Sequence, residues 1–220
     1  MIAVCHCLSM LVVAQQNEGT VVYQMVIEGL PPEQASMMGD MEMKIIWKDG
    51  KSYVEQHSMM HTTQSVSDGK TGLVLIDAMG NKTYMKWDVN DPKYQEKEKE
   101  VVDYKIEYTN DTKKIAGYDC KKAIVTVKTK DKKDVKIDVW YTEQVPNVYA
   151  QHKHRSKNQN ADYLKGINGM PLEYKMLQDQ ITVRVTAKEL NFNPVSDEVF
   201  HLSTEGYTEV KYGDKIKAGN

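Results

Sequence analysis

The dominant pattern along this chain is a strict alternation of apolar and polar residues. It is clearest in DMEMKIIWK, residues 40–48, where every odd position is apolar and most even positions are charged. A period of two puts one face of a strand on a core and the other in water, which is typical of antiparallel sheets. Similar runs are bounded by Gly, Pro, Asn or Asp. The predicted strands are 20–28, 40–48, 51–58, 71–78, 82–88, 102–109, 123–129, 133–142, 171–177 and 181–192.

Two segments depart from this period. Residues 91–100, DPKYQEKEKE, predict a short solvated helix, and in 194–202 Ser196 is placed to cap a single turn. No repeat, linker or change of composition divides the chain, so residues 15–220 predict one domain. Because about ten twisted strands rarely stay flat and open, we expect a mainly β fold whose antiparallel sheet curls.

The N-terminal stretch has the character of a signal peptide. It is apolar, and Val12 and Ala14 have the small-residue spacing of a signal-peptidase site. We therefore predict a signal peptide at 1–14, cleavage near Ala14 and a periplasmic or secreted protein. The usual basic start is missing, so the signal is expected to begin upstream of Met1; the alternative is a buried first strand.

Cysteine usage is sparse in the predicted mature chain. Cys5 and Cys7 lie in the predicted signal peptide, and their neighbours do not form a lipoprotein site. After cleavage Cys120 remains alone, which excludes an intramolecular disulfide.

Cys120 lies between charged residues in TKKIAGYDCKKAIV, residues 112–125. We interpret YTNDTKK (108–114) as a turn, with Gly117 supplying backbone freedom for the chain reversal. Strict alternation would put Cys120 on the same face as Lys122, whereas a bulge near Lys121 would turn its side chain toward the core. The alternation by itself therefore does not predict whether Cys120 is buried.

A nucleophilic cysteine needs a histidine base held by a third group. The histidines of the predicted mature chain have no motif spacing to Cys120; they are His57, His61, His152, His154 and His201. We therefore favour a packing role for Cys120 over a catalytic one.

Composition and charge exclude several classes of protein. The chain is 40% hydrophobic and 27% charged, as in an ordinary soluble domain, and its first apolar stretch is too short to predict a transmembrane span. Lys plus Arg (29) nearly balances Asp plus Glu (31), so no basic field attracts nucleic acid. We expect a monomer with no nucleic-acid partner.

Methionine is unusually frequent, with thirteen residues against two phenylalanines. Methionine fills irregular apolar space and adapts to varied partners, which suits a cavity for acyl chains, although the same residues also suit a closed core. The ligand-cavity candidates in or beside the predicted strands are Met25, Met41, Met43, Ile45, Trp47, Met85, Trp140, Met170 and Met176.

Signals for metal binding or catalysis are weak. His152 and His154 lie in a polar loop without an acidic ligand cluster. Glu42, Glu55 and Asp77 are isolated carboxylates, and neither a phosphate loop nor a GxSxG elbow occurs. We predict no metal, no cofactor and no enzymatic activity.

Several motifs resemble one group of proteins. They are Gly-Tyr-x-Cys-x-Lys-Ala at 117–123, Trp-Tyr-Thr at 140–142, the loop at 163–176, and Asp-Glu-x-Phe followed by Gly-Tyr at 197–207. They are similar to secreted bacterial proteins of unknown function related to the GLPGLI family and, more distantly, to the LolA, LolB and LppX lipoprotein and lipid carriers. The resemblance implies a strongly curved antiparallel sheet, an incomplete barrel whose concave face is closed by short helices or loops.

Two functions follow as hypotheses. The first is a non-enzymatic protein that binds a lipid, a lipidated protein or another apolar ligand in the concave face. The second is a structural or protein-interaction module of the envelope with a solid core. An apolar cavity lined by the methionines would favour the first, and a packed interior the second.

Overall fold

The computed structural model describes residues 17–31, 33, 39, 41–92, 104–128, 134–151, 159–178 and 181–211. The predicted signal peptide at 1–14, most of the predicted helix at 91–100 and the His152–His154 pair lie outside these residues, so they stay predictions.

The described chain is mostly β-structure. Its strands are β1 (Glu18–Glu28), β2 (Met41–Lys48), β3 (Lys51–His57), β4 (His61–Ser67), β5 (Thr71–Ala78), β6 (Asn81–Asp88), β7 (Tyr104–Ile115), β8 (Tyr118–Lys128), β9 (Asp134–Thr142), β10 (Met170–Gln178), β11 (Ile181–Asn191) and β12 (Thr208–Glu209). The helices whose bounds lie within the described residues are α1 (Val148–Gln151) and two 3₁₀ turns, η1 (Gln159–Gly166) and η2 (Asp197–Phe200).

All twelve strands belong to one open sheet. Their order is β12-β6-β5-β4-β3-β2-β1-β11-β10-β9-β8-β7. Every described neighbour pair is antiparallel except β12 with β6. β7 and β12 form the two edges, so the sheet does not close into a barrel. The prediction of a mainly β, incompletely closed antiparallel sheet is confirmed.

Two local predictions were wrong. The pattern does not predict β4, with the sequence HTTQSVS, because Val66 is the one apolar residue among its seven, so no alternation of apolar and polar residues marks it. The predicted turn at 108–114 is part of β7, and the chain reverses at Ala116 and Gly117, whose φ values are 48° and 85°. The turn-forming residues occupy a bulge, since Tyr108 pairs with Ala123 and Thr112 with Lys121.

The core lies on one face of the sheet, which we call the inner face. It is built from the alternate residues of β1, β2 and β8–β11 that face the segment between β9 and β10. Buried inner-face residues include Val21, Tyr23, Met43, Ile45, Trp47, Ala123, Val125, Ile137, Val139, Tyr174 and Val185. The described residues between β9 and β10, which are 143–151 and 159–169, are called the crossover segment. It contributes Val145, Val148, Tyr163, Leu164 and Ile167 to the same core.

Polar groups hold the crossover segment in place. The Asn147 side chain donates to the carbonyls of Leu164 and Ile167, at 2.7 and 2.9 Å. The Tyr149 and Tyr174 hydroxyls lie 2.8 Å apart. Because buried polar groups are costly unless they are paired, these bonds fix how the segment covers the sheet.

The C-terminal part of the described chain, residues 192–210, crosses the sheet from β2 to β6, and we call it the strap. The Lys48 ammonium donates to the carbonyl of Val195 at 2.8 Å, and the Val210 amide donates to the carbonyl of Tyr84 at 2.8 Å.

Within the strap, the predicted cap is confirmed. The Ser196 hydroxyl accepts from the Glu198 amide at the start of η2.

Candidate functional site

The inner face continues onto β3–β6, where it changes character. One cross-strand row consists of Val54, Ser65, Val74 and Met85, each directly opposite the next. All four are half-buried, whereas their counterparts in the core are almost fully buried. This half of the inner face therefore presents apolar side chains that solvent still reaches.

The two flanking rows have a similar mixture of apolar, hydroxyl and amide groups. They are Gln56, Thr63, Ile76 and Thr83 on one side, and Ser52, Ser67, Gly72 and Trp87 on the other. The Trp87 indole lies directly on Gly72, where a Cβ atom would come within 2.2 Å of the ring. A glycine is required there because any side chain would displace the tryptophan.

The described core cluster ends before it reaches this surface. Val54 packs against the cluster, but Val74, Ile76, Met85 and Trp87 are not among the described residues that do so. Together with Val54 they define what we call the open inner face.

The structure divides the nine predicted ligand-cavity residues into groups. Four are in the packed core, each no more than 5% exposed: Met43, Ile45, Trp47 and Met170. Met25 and Met41 are paired and half-buried on β1 and β2, and Met85 is part of the open inner face. Met176 lies opposite Val183 on β10, and its side chain is outside the described part. The structure therefore does not bring the nine residues together.

Trp140 lies on the opposite, outer face of the sheet. Its strand neighbours Val139 and Tyr141 are buried, and alternation turns Trp140 the other way. The Lys113 ammonium is 4.3 Å from the centre of the Trp140 ring, a cation–π contact, and Lys122 is 5.9 Å away.

Sequence reasoning did not select Val54, Val74, Ile76 and Trp87. In β5, TGLVLIDA, apolar residues occupy both faces, so alternation cannot tell which of them point inward. Leu75, on the outer face, is only 4% exposed, while Val74 and Ile76 on the inner face are half-buried.

On β1, β7, β10 and β11 the outer face carries a network of ion pairs, whereas on β2, β3 and β5 it carries the buried residues Ile46, Tyr53 and Leu75. Glu28 accepts from Lys175 at 2.8 Å and from Arg184 at 2.6 Å, and Glu173 pairs with Lys113 at 2.8 Å and with Arg184 at 3.4 Å. The hydrogen bond from Lys175, together with that from Arg184, lowers the pKa of Glu28 below its ordinary value. This network links β1, β7, β10 and β11 without forming a cavity.

Cys120 packs in the core. It is 1% exposed, and its Sγ atom contacts the carbonyl of Tyr118 at 3.6 Å. Burial raises the pKa of the thiol to about 11, in spite of the nearby Lys113. At neutral pH the side chain is a neutral thiol, which is a poor nucleophile.

A concavity of about 620 Å³ lies between the strap and the ends of β4–β6. It is lined by Lys51, Val66, Ser67, Asp68, Thr71, Gly72, Leu73, Lys86, Trp87, Asp88, Asp91, Phe200 and His201. We call it the strap cleft. Its lining mixes both signs of charge, and the Asp68 carboxylate is engaged by the amides of Lys70 and Thr71, at 2.8 and 2.7 Å.

Neither a metal site nor a membrane-crossing helix is found in the part of the chain that the structure describes. No three His, Cys, Asp or Glu side chains there are grouped to hold an ion. Likewise, no described helix has the length and apolar character needed to cross a bilayer.

Comparison with known proteins places this sheet in a family. Residues 17–203 match the family described as a domain of unknown function, DUF4412. The chain belongs to this family. Among curated proteins none matches the chain. The finer relationship to the GLPGLI family stays a prediction.

Solved structures also show similarity. The crystal structure of LprF from Mycobacterium bovis matches 83% of this chain and 90% of its own, with 14% sequence identity and a TM-score of 0.35. At that level of similarity, the function of the DUF4412 chain has to be argued from its own residues.

Proposed function

We propose that this DUF4412 protein is a non-enzymatic binding protein that holds an apolar ligand, such as the acyl chain of a lipid or lipidated protein, against the open inner face. The observation that carries the proposal is the contrast along the inner face. The residues of β1, β2 and β8–β11 are sealed by the crossover segment, while Val54, Val74, Ile76 and Met85 stay half-buried beside them.

The dimensions suit an extended chain. Neighbouring strands are about 4.8 Å apart, so a row across four strands spans about 14 Å. Each buried methylene contributes about 0.8 kcal/mol, so a dozen of them contribute on the order of 10 kcal/mol before ordering costs. Half-buried apolar side chains already border this surface, so a ligand completes a contact layer without opening the packed core.

A binding role accounts for the chemistry of the face better than catalysis does. The open inner face and the rows that flank it present aliphatic, thioether, indole, hydroxyl and amide groups, which orient and cover a ligand. Cys120, the reactive candidate from sequence, is a buried neutral thiol at neutral pH. Nothing on the open inner face supplies a nucleophile with a general base.

The test is uptake of a fluorescent fatty acid by matched variants of β6. Met85→Glu places a charge on the open inner face and should abolish uptake. Lys86→Glu changes the next residue, which lies on the outer face and lines the strap cleft, and uptake should be unchanged. Circular dichroism and the melting temperature establish that both variants are folded.

Two results would count against this function. Loss of uptake in Lys86→Glu but not in Met85→Glu would move the ligand to the strap cleft. A wild-type protein that takes up no acyl probe, and that carries no ligand from its host by native mass spectrometry, would favour the interaction module with a solid core.

A further inference from the structure

Three largely exposed methionine side chains lie in two adjacent turns, and one of them, Met59, also lies against Gly39. Met59 and Met60, in the β3–β4 turn, are 73% and 51% exposed, and Met79, in the β5–β6 turn, is 84% exposed. His61 at the start of β4 pairs with Ala78 at the end of β5, so both turns stand at the same end of the sheet. We call these three residues the methionine tips.

The backbone makes Met79 a costly choice for its turn. Met79 and Gly80 have φ values of 53° and 86°, a two-residue turn with the left-handed conformation at both positions. Asn and Asp favour the first position of such turns, and an ordinary side chain there is crowded. The equivalent turn at the other end of the sheet has Asp49, with φ of 49°. Since folding and solubility both disfavour an exposed methionine here, Met79 points to a contact outside the chain.

The size of the patch decides what kind of surface it contacts. A stable protein–protein interface covers about 800 Å² on each partner, with complementary shape. Three side chains on two turns fall far short of that area. A bilayer surface needs no complementary shape, and flexible methionines enter an apolar layer readily.

Charges at the tips do not oppose such a contact. The Asp77 carboxylate, beside the β5–β6 turn, lies 3.9 Å from the Lys82 ammonium and accepts from the Gly80 amide at 2.9 Å. In the β3–β4 turn, the His61 ring lies 3.1 Å from the Ser58 hydroxyl. The Asp77 carboxylate therefore keeps the Lys82 ammonium and the Gly80 amide as partners when the turns contact lipid.

We propose that the methionine tips dock this protein on the surface of a lipid bilayer. The tips end the same strands, β3–β6, that form the open inner face, so docking brings that face next to the lipid. An acyl chain then passes between bilayer and protein with little exposure to water. This transfer step rests on the proposed function, whereas docking itself does not.

The experiment is co-sedimentation of the full-length protein with phosphatidylcholine vesicles. The variant Met59→Ser/Met60→Ser/Met79→Asn should bind at least about a hundredfold more weakly, because burying one methionine changes a binding constant about tenfold. Met79→Asn alone should weaken binding about tenfold and raise the melting temperature, since Asn suits the left-handed position. Asp49→Asn, in the equivalent turn at the opposite end, should leave vesicle binding unchanged.

Defined outcomes overturn the docking proposal. Unchanged binding of the triple variant, binding only to vesicles that contain phosphatidylglycerol, or a dimer in solution that the triple variant dissolves would each do so. If the triple variant fails to fold, Met79→Asn decides the matter by itself.

The two proposals fail separately. Met85→Glu should bind vesicles normally and lose uptake of the fatty acid, while the triple variant should take up the fatty acid from solution and lose vesicle binding. Vesicle binding without any uptake overturns the proposed function only, and uptake without vesicle binding overturns docking only.

Discussion

At the scale of single residues, Cys120 shows how burial outweighs neighbouring charge. In sequence, Lys121 and Lys122 suggest an activated thiolate. In the structure, the Lys121 ammonium pairs with Glu143 at 2.6 Å and the Lys122 ammonium pairs with Asp138 at 2.9 Å. Both ammonium groups are therefore engaged by carboxylates rather than by the thiol of Cys120. Desolvation is the largest cause of the raised pKa of Cys120, and it exceeds the opposing effect of Lys113.

This environment predicts slow labelling of Cys120. A pKa of about 11 leaves far less thiolate at pH 8 than an ordinary cysteine has, so native Cys120 should react with a thiol reagent on the order of a hundredfold more slowly than after unfolding. Peptide mapping of the labelled protein distinguishes Cys120 from Cys5 and Cys7. Rapid labelling in the native state would contradict the packing role.

A substitution tests the same residue from the side of function. Cys120→Ala should lower the free energy of unfolding by about 1–3 kcal/mol and leave fatty-acid uptake intact. A Cys120→Ala variant that melts like the wild type but takes up no ligand would contradict the packing role and support a functional role for the thiol.

At the scale of secondary-structure elements, ion pairs join strands that are distant in sequence. Glu28 on β1 accepts from Lys175 on β10 and from Arg184 on β11. These bonds lie on the outer face, opposite the core, so they stabilise strand pairing without taking part in the open inner face. They are partly exposed, and their contribution is correspondingly modest.

The lowered pKa of Glu28 predicts how stability depends on pH. A carboxyl group whose pKa is lower in the folded state stabilises the protein above its unfolded pKa, and that stability is lost as the pH falls through the folded value. The free energy of unfolding should therefore decrease below about pH 4.5, the ordinary value of this group, and Glu28→Gln should remove part of the decrease. Urea unfolding at several pH values measures it.

Glu42→Gln supplies the control. Glu42 is exposed on the neighbouring strand β2, opposite Gln24 of β1. If both variants show the same loss of acid dependence, the ion pairs of Glu28 are not its cause.

At the scale of the whole molecule, one continuous sheet has two unlike halves. The half around β1, β2 and β8–β11 is closed by the crossover segment, and its inner residues such as Val139 and Leu172 have no exposed surface. The half made of β3–β6 keeps Val74, Ile76 and Met85 half-buried. Dense packing makes a region costly to open, so the halves should differ in local stability.

Hydrogen exchange measures this difference directly. Backbone amides in the middle of β9 and β11 should exchange at least about tenfold more slowly than those in the middle of β4 and β5, because more buried apolar surface must be exposed to open them. Adding a bound fatty acid should slow exchange in β4 and β5 selectively. Uniform exchange across the sheet would mean that the halves are equally packed.

Much of the architecture is predictable from local pattern. Alternation in a run such as 40–48 reports which residues of a strand share a face, and that property depends only on backbone geometry. For this reason the positions of most strands, the antiparallel sheet and the cap at Ser196 follow from sequence. Alternation does not predict β4, because its inner positions include Thr63 and Ser65, whose polar side chains do not mark an apolar face.

Local sequence pattern therefore predicts a mainly β chain of alternating strands, but it does not predict the surroundings of the cysteine and the methionines. Which half of the inner face is covered depends on the folded arrangement of the whole chain. The crossover segment seals Met43 and Met170, while Met85 stays half-buried and Trp140 lies under Lys113 on the outer face. Burial depends on strand order and on residues far away in the chain, which no local period encodes.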